Sequence, residues 1–139
     1  MRLRRAASTA LLLGAIPVLA AGQTTLKTYF AFGDSITKGI GDDRPEDQAG
    51  YPPRLQSLLQ AAGVSATVVN SGMSGEKTPD GLTRLNNIVL PQTKAGDILI
   101  LMEGTNDINK AVDIETTIFD LDTMADRARK MGLDVIHAT

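Results

Sequence analysis

The sequence has 139 residues, with 14 Lys and Arg against 16 Asp and Glu, and it contains no cysteine. This length predicts one domain with a modest core, and the lack of cysteine excludes a disulfide-bonded scaffold and a Cys-based zinc site. No basic stripe is available to neutralise phosphates, so nucleic acid is not expected as a partner.

Residues 1–22 have the pattern of a secretory signal peptide. Three arginines among the first five residues precede an uncharged apolar stretch at 6–19, and small residues follow at 20–22. The alternative is a membrane anchor, but the apolar stretch is shorter than the roughly 20 residues that a spanning helix needs. We therefore expect an exported, periplasmic or extracellular protein without a stable membrane anchor after cleavage. Its domain, 23–139, has 11 basic and 16 acidic residues, a net charge of −5.

Short apolar runs alternate with helical patterns along this domain. Four runs that are continuously apolar and partly β-branched predict strands buried on both faces: Tyr29–Phe32, Ala66–Val69, Ile98–Met102 and Leu133–His137. The segments between them predict helices at about 52–62, 79–90 and 113–130, and a surface loop at 39–50. The order β-α-β-α-β-α-β predicts a three-layer α/β/α, flavodoxin-like fold with a doubly wound parallel sheet.

The apolar positions of each helix predict the face that it buries. In the first helix these positions are Leu55, Leu58, Leu59 and Ala62, and Gly63 ends the helix. In the second they are Leu82, Leu85 and Ile88, and the helix is expected to stop before Pro91. In the third they are Ile114, Ile118, Leu121, Ala125 and Ala128.

A polar or glycine-rich segment follows each of the first three strands, at the carboxyl edge where open α/β sheets bind ligands. The first is Gly-Asp-Ser-Ile-Thr, residues 33–37, in which Ser35 can act as a nucleophile if a base takes its proton. Thr37 occupies the last glycine position of the Gly-x-Ser-x-Gly elbow, so this segment is not that motif. The alternative is an ordinary strand-to-helix turn in which Asp34 or Ser35 caps the helix.

The other two segments are residues 70–75 and 104–107. Gly75 can aim a backbone N–H at a ligand, although a flexible connection or a phosphate cradle would have the same composition. The carboxamide of Asn106 can donate to a developing oxyanion. Alternatively, Asn106 is a turn residue, and Asp107 caps the segment that comes directly after it.

In this order, the three segments resemble the three blocks of the SGNH, or GDSL-type, hydrolase family of esterases, lipases and acylhydrolases, and the resemblance covers residues 29–139. It implies that Ser35 attacks an ester or thioester carbonyl. It also implies that the N–H of Ser35, the N–H of Gly75 and the side chain of Asn106 hold the oxyanion. No metal or organic cofactor is implied, and the implied substrate is a small-molecule, polysaccharide or lipid ester.

The family's fourth block, an aspartate followed three positions later by the catalytic histidine, is not matched. Residues 134–137 have the spacing, but they lie inside the predicted fourth strand, so His137 is interpreted as a packed or rim residue. We therefore expect a domain that is incomplete at its C-terminal end and lacks the last strand, the last helix and the Asp/His pair. The fourth strand would be an open apolar edge, and catalysis would be weak.

Two other functions remain open at this point. One is a non-catalytic module that holds an acyl or carbohydrate ligand in the same crevice. The other is a phosphate or nucleotide binder in which Gly72 and Gly75 line an anion site, which is less favoured because Lys77 is the one cation expected nearby. The oligomeric state is left open.

Overall fold

The computed structural model of the protein describes residues 26–138. The predicted signal peptide lies outside the described residues. Four parallel strands form one sheet in the order β2-β1-β3-β4. They are β1 at Lys27–Gly33, β2 at Ala66–Gly72, β3 at Ile98–Met102 and β4 at Asp134–His137. This order confirms the predicted flavodoxin-like arrangement of the first four strands.

Five α-helices connect or follow these strands in the described part of the chain: α1 at Ser35–Lys38, α2 at Tyr51–Ala61, α3 at Thr78–Arg84, α4 at Thr105–Asn109 and α5 at Ile114–Lys130. Because β2 and β3 lie on opposite sides of β1, right-handed crossovers place α2 on one face of the sheet and α3 and α5 on the other. The three-layer architecture is therefore confirmed. No helix within residues 26–138 is long and apolar enough to cross a bilayer.

The main core lies between the sheet and the α3–α5 layer. Alternate residues of the two central strands point into it, so Phe30 and Phe32 of β1 are buried beside Leu99 and Leu101 of β3. The segment that follows α3 and the helix α5 contribute buried apolar residues to the same cluster: Leu85, Val89, Leu90, Met124, Ala125 and Ala128. The central strands are thus buried as predicted.

The two outer strands differ from the prediction that all four are buried on both faces. No residue of β2 is fully buried, and in β4 the side chain of Ile136 is 49% exposed. Each of these strands has a single neighbouring strand in the described sheet. Its other side is therefore exposed to solvent, whatever its sequence. An exposed edge at β4 was expected.

The predicted apolar face of α5 is only partly correct. Ile114 and Ile118 are 60% and 53% exposed, whereas Thr117 and Asp120 are buried together with Met124. The first half of α5 packs against a buried polar cluster around Asp107, and that cluster requires polar partners from the helix. The two isoleucines are turned toward the β4 side instead.

The other two helices also depart from the predicted pattern. On α2, the predicted core residue Leu58 is 67% exposed, because α2 covers an edge strand. Gln56 occupies an inward position instead, and its side chain bonds to the backbone of β2 at Ala66 and Val68. The helical coil that starts with α3 was predicted to end before Pro91, but it does not. A wide turn at Leu85–Val89 and a tight turn at Leu90–Gln92 follow α3 directly. Proline fits there because a first turn needs no backbone donor.

The loop at 39–50 is mostly exposed, as predicted, although Ala49 and Gly50 are buried. Asp42 fixes its shape by accepting hydrogen bonds from the Gly50 N–H at 2.9 Å and from Arg54 at 2.6 Å. The Arg54 guanidinium holds the pKa of the Asp42 carboxyl well below its ordinary value. The loop is therefore ordered by one ion pair to α2.

Candidate active site

The carboxyl ends of three strands bring the three sequence segments to one edge of the sheet. Gly33 at the end of β1 is in register with Gly72 of β2 and with Met102 of β3. The segment after β2 bonds back to β1, since the Met73 N–H donates to the Gly33 carbonyl at 2.8 Å. The segments that carry Ser35, Gly75 and Asn106 therefore start from adjacent points.

A hydrogen bond joins the first segment to the third. Asp34 is buried, and its Oδ1 accepts from the Ile36 N–H at 2.9 Å, so Asp34 is the residue that caps α1. Its Oδ2 accepts from Nδ2 of Asn106 at 3.2 Å. Ser35 follows as the first residue of α1 and is half-buried. Because an amide NH₂ has two hydrogens, Asn106 keeps a second donor beside Ser35's segment.

Gly75 lies in an exposed turn and has φ of +74°, a conformation that favours glycine. Its carbonyl accepts from Nζ of Lys110 at 2.9 Å, which joins the second segment to the end of α4. Within residues 26–138, the N–H groups of Ser35 and Gly75 donate to no protein acceptor. Both can therefore donate to a ligand.

The expectation that Lys77 is the one cation near this turn is wrong, because Lys110 also contacts Gly75. Gly72 does not line an anion site beside Gly75. It packs against the backbone of α1 at Lys38, where a side chain would not fit. Of the two glycines that were predicted to line a phosphate site, only Gly75 is therefore available to do so.

Asp107 has a role that differs from the predicted cap of the segment directly after it. It is completely buried, and its carboxylate oxygens accept from the Thr78 N–H at 3.1 and 3.0 Å and from the Thr78 hydroxyl at 2.7 Å. Asp107 therefore caps α3, 29 residues away in sequence. The buried hydroxyl of Thr117 and the carboxylate of Asp120 lie against the same pair. This cluster holds the segment after Gly75 against α4.

Arg84 of α3 ties the segment after Gly75 to the ends of β1 and β2. Its Nε lies 2.8 and 2.9 Å from the Glu76 carboxylate oxygens, and its Nη2 also bonds to that carboxylate. Nη1 donates to the Ser71 carbonyl at 2.8 Å, and Nη2 lies 3.3 Å from the Gly33 carbonyl. The guanidinium stacks on Phe32 at 4.0 Å from the ring centroid. Glu76, the residue after Gly75, is thereby fixed.

Glu103 follows β3 directly, and its side chain is fully buried. Burial and the nearby carboxylates of Glu76 and Asp34 raise the pKa of Glu103 from 4.5 to about 9, against the opposing effect of Arg84. Burial and these neighbours therefore favour the protonated form of Glu103.

His137 is exposed at the end of β4, in agreement with the rim position expected for it. It lines a cavity of about 280 Å³ together with Ile108, Ile114 and Ile118. Its side chain makes no hydrogen bond to any residue in 26–138, Ser35 included. Over the same range, no group of three or more His, Asp and Glu side chains is arranged to hold a metal ion.

The fold and the three converging segments define an α/β protein with a serine, a free main-chain amide and a carboxamide at one sheet edge. The chain belongs to the GDSL-like lipase/acylhydrolase family, whose model matches residues 31–139. It is 30% identical over 119 residues to the esterase TesA of Pseudomonas aeruginosa, covering 86% of this chain and 57% of that protein.

Other known proteins show the same relationship. An arylesterase of Vibrio mimicus is 25% identical over 118 residues, which cover 85% of this chain and 56% of the arylesterase. The crystal structure of AlinE4, an SGNH-hydrolase family esterase, superimposes with a TM-score of 0.70 and 26% identity, covering 81% of this chain and 58% of AlinE4. The chain thus spans less than three-fifths of the length of each of these relatives.

Proposed function

We propose that the protein hydrolyses carboxylic esters with Ser35 as the nucleophile. The observation that supports the proposal is the meeting of three segments at one sheet edge, where the Asp34–Asn106 hydrogen bond at 3.2 Å joins the first segment to the third. The family membership and the names of the relatives, two esterases and an arylesterase, favour an enzyme over a binding module of the same fold.

In the proposed reaction, Oγ of Ser35 attacks the ester carbonyl carbon, and the carbonyl oxygen becomes an oxyanion. The unpaired N–H groups of Ser35 and Gly75 and the second amide hydrogen of Asn106 donate to that oxygen. Collapse breaks the bond to the alkoxy oxygen, which leaves as the alcohol after taking up, through solvent water, the proton that the Ser35 hydroxyl loses. A second water then hydrolyses the acyl-enzyme, releasing the carboxylic acid and returning a proton to Ser35. Within residues 26–138 no side chain is hydrogen-bonded to the Ser35 hydroxyl, so we expect slow turnover by this chain.

The nucleophile is tested by covalent labelling with a fluorophosphonate and by hydrolysis of p-nitrophenyl acetate. We expect the label on Ser35, and we expect Ser35→Ala to abolish both labelling and turnover, because Ser35 opens α1 directly at the edge where the three segments meet. The matched control is Ser57→Ala, which removes an exposed hydroxyl on α2 that bonds only to the Pro53 carbonyl. Labelling that persists in Ser35→Ala would contradict the proposal.

The proposed substrate class is a small carboxylic ester, with acetylated polysaccharide, lipid ester and thioester as further candidates. A panel of p-nitrophenyl esters of increasing acyl length, compared by kcat/KM, ranks them. Activity against none of these, together with binding of an acylated sugar and no labelling, would instead identify a binding module.

We also propose that the protein is exported through its first 22 residues. The three arginines near the start and the uncharged apolar stretch after them support this proposal. Expression of the full chain in a Gram-negative host is expected to give a product in the periplasm or medium that lacks about 22 N-terminal residues by mass spectrometry. A cytoplasmic product with residues 1–22 intact would contradict export.

A further inference from the structure

The buried carboxyl group of Glu103 has no part in the proposed reaction and no conventional partner. Its side chain is completely inaccessible, yet neither of its oxygens accepts a hydrogen bond from any N–H or O–H group in the described residues. A carboxylate in this position would carry an uncompensated buried charge, which proteins avoid by pairing the group or keeping it neutral. We therefore expect the carboxyl group of Glu103 to be protonated.

The groups that face Glu103 are one cation and two carboxylates. The nearest cation is the Arg84 guanidinium, 3.9 Å away, but its donors are directed to Glu76 and to the backbone carbonyls of Ser71 and Gly33. The carboxylates belong to Glu76 and Asp34. Glu76 already balances the charge of Arg84, so an ionised Glu103 would be a surplus negative charge.

Glu103 and Glu76 approach each other above α3. A methyl group placed on Gly81 would lie 3.4 Å from Glu76 Oε2 and 3.5 Å from Glu103 Oε1, so both carboxyl groups converge on the same point of that helix. Glu76 is adjacent to Gly75, and Glu103 is three residues before Asn106. A hydrogen bond between the two acids would join the two segments proposed to supply oxyanion donors.

We propose that Glu103 is a positioning residue whose carboxylic acid donates its proton in a hydrogen bond to the Glu76 carboxylate and so fixes the spacing between Gly75 and Asn106. The proton stays on Glu103, no covalent bond changes, and Arg84 neutralises the single negative charge of the pair. The raised pKa of Glu103 agrees with this arrangement. The role assigned to Glu103 rests on the proposed function, whereas the hydrogen bond itself does not.

Ionisation of Glu103 should break the link. Two carboxylates would then face one guanidinium, and their repulsion should separate the Gly75 turn from the segment of Asn106. We therefore expect the rate of Ser35 labelling to fall as the pH rises through the pKa of Glu103, near 9. Disappearance of this midpoint in Glu103→Gln identifies the group, because the glutamine amide has no titrating proton.

The first test does not depend on activity. The sequence contains four glutamates, Glu46, Glu76, Glu103 and Glu115, so carboxyl-¹³C NMR of glutamate-labelled protein gives four signals, and Glu103→Gln identifies one of them. We expect the Glu103 signal to be that of a neutral acid at pH 7 and to titrate near 9, with the Gly75 amide shift following the same midpoint. The proposal would be overturned if Glu103 titrated near 4.5, or if the Gly75 amide shift did not change at the midpoint of the Glu103 titration.

The second test is rescue by a neutral donor. Glu103→Gln keeps an N–H donor for Glu76, and we expect a labelling rate within about twofold of the wild type and no loss of rate near pH 9. Glu103→Ala removes the donor, and we expect labelling at least about tenfold slower. Equal rates for the two variants would overturn the positioning role. If the wild type is not labelled at Ser35, the proposed function fails, and the NMR titration still decides the hydrogen bond.

Discussion

Replacement of Arg84 by methionine is expected to lower the free energy of unfolding by about 3–5 kcal/mol, because it leaves the Glu76 carboxylate buried without its positive partner. The two side chains are only 11% and 6% exposed, so solvent cannot replace the lost interaction. The variant also loses the donors to the Ser71 and Gly33 carbonyls and the cation that stacks on Phe32. Urea unfolding followed by circular dichroism measures the change.

Arg129→Met is the matched control for this prediction. Arg129 is 55% exposed and forms an ion pair with Asp126 on the surface of α5, so its replacement should change the stability by no more than about 0.5 kcal/mol. The double variant Arg84→Met, Glu76→Gln should recover part of the loss, because it removes the unpaired charge. If Arg84→Met is as stable as Arg129→Met, the buried pair does not stabilise the fold.

The parallel sheet could be predicted from the sequence because its central strands are short apolar runs separated by helical segments. The bounds of β3, Ile98–Met102, agree with the prediction. The burial of β2 could not be predicted in the same way, whereas the exposed edge at β4 was expected from the strand order. Burial depends on the number of neighbours a strand has, and the apolar sequence of β4 is compatible with either a central or an edge position.

The orientation of α5 shows why periodicity alone was insufficient. The apolar spacing predicted that Ile114 and Ile118 lie on the buried face of α5. In the structure these two residues are exposed, and Thr117 and Asp120 are buried instead. These polar residues adjoin the pair formed by Asp107 and Thr78, which are 29 residues apart in sequence. A pairing over that distance leaves no periodic signal, so a hydrophobic stripe cannot reveal it.

The candidate site was predicted as far as strand topology determines it. The ends of parallel strands share an edge, so the segments of Ser35, Gly75 and Asn106 could be placed together, while their catalytic roles stay predictions. The charged residues beneath them were missed. One signal was available for Glu103, an acidic residue directly after five apolar residues of a buried strand, but its partners come from other segments.

Replacement of Glu103 by glutamine is expected to flatten the dependence of stability on pH between about pH 5 and 9. The pKa of Glu103 is 4.5 in its ordinary state and about 9 in the fold, so between these values the native state binds one proton more than the unfolded state. The stability contributed by this proton is complete below pH 4.5 and is lost as the pH rises toward 9. The slope is at most about 1.4 kcal/mol per pH unit for one proton.

Glutamine carries no titrating proton, so the wild-type and Glu103→Gln unfolding free energies should diverge as the pH rises, with the variant relatively more stable at pH 9 than at pH 5. Urea unfolding at pH 5, 7 and 9 measures this difference, in which the other titrating groups cancel. Glu115→Gln, at an exposed position in the first turn of α5, is the control and should give a curve parallel to that of the wild type. A parallel curve for Glu103→Gln would mean that Glu103 is ionised in the fold, and the same result would remove the proton on which its link to Glu76 depends.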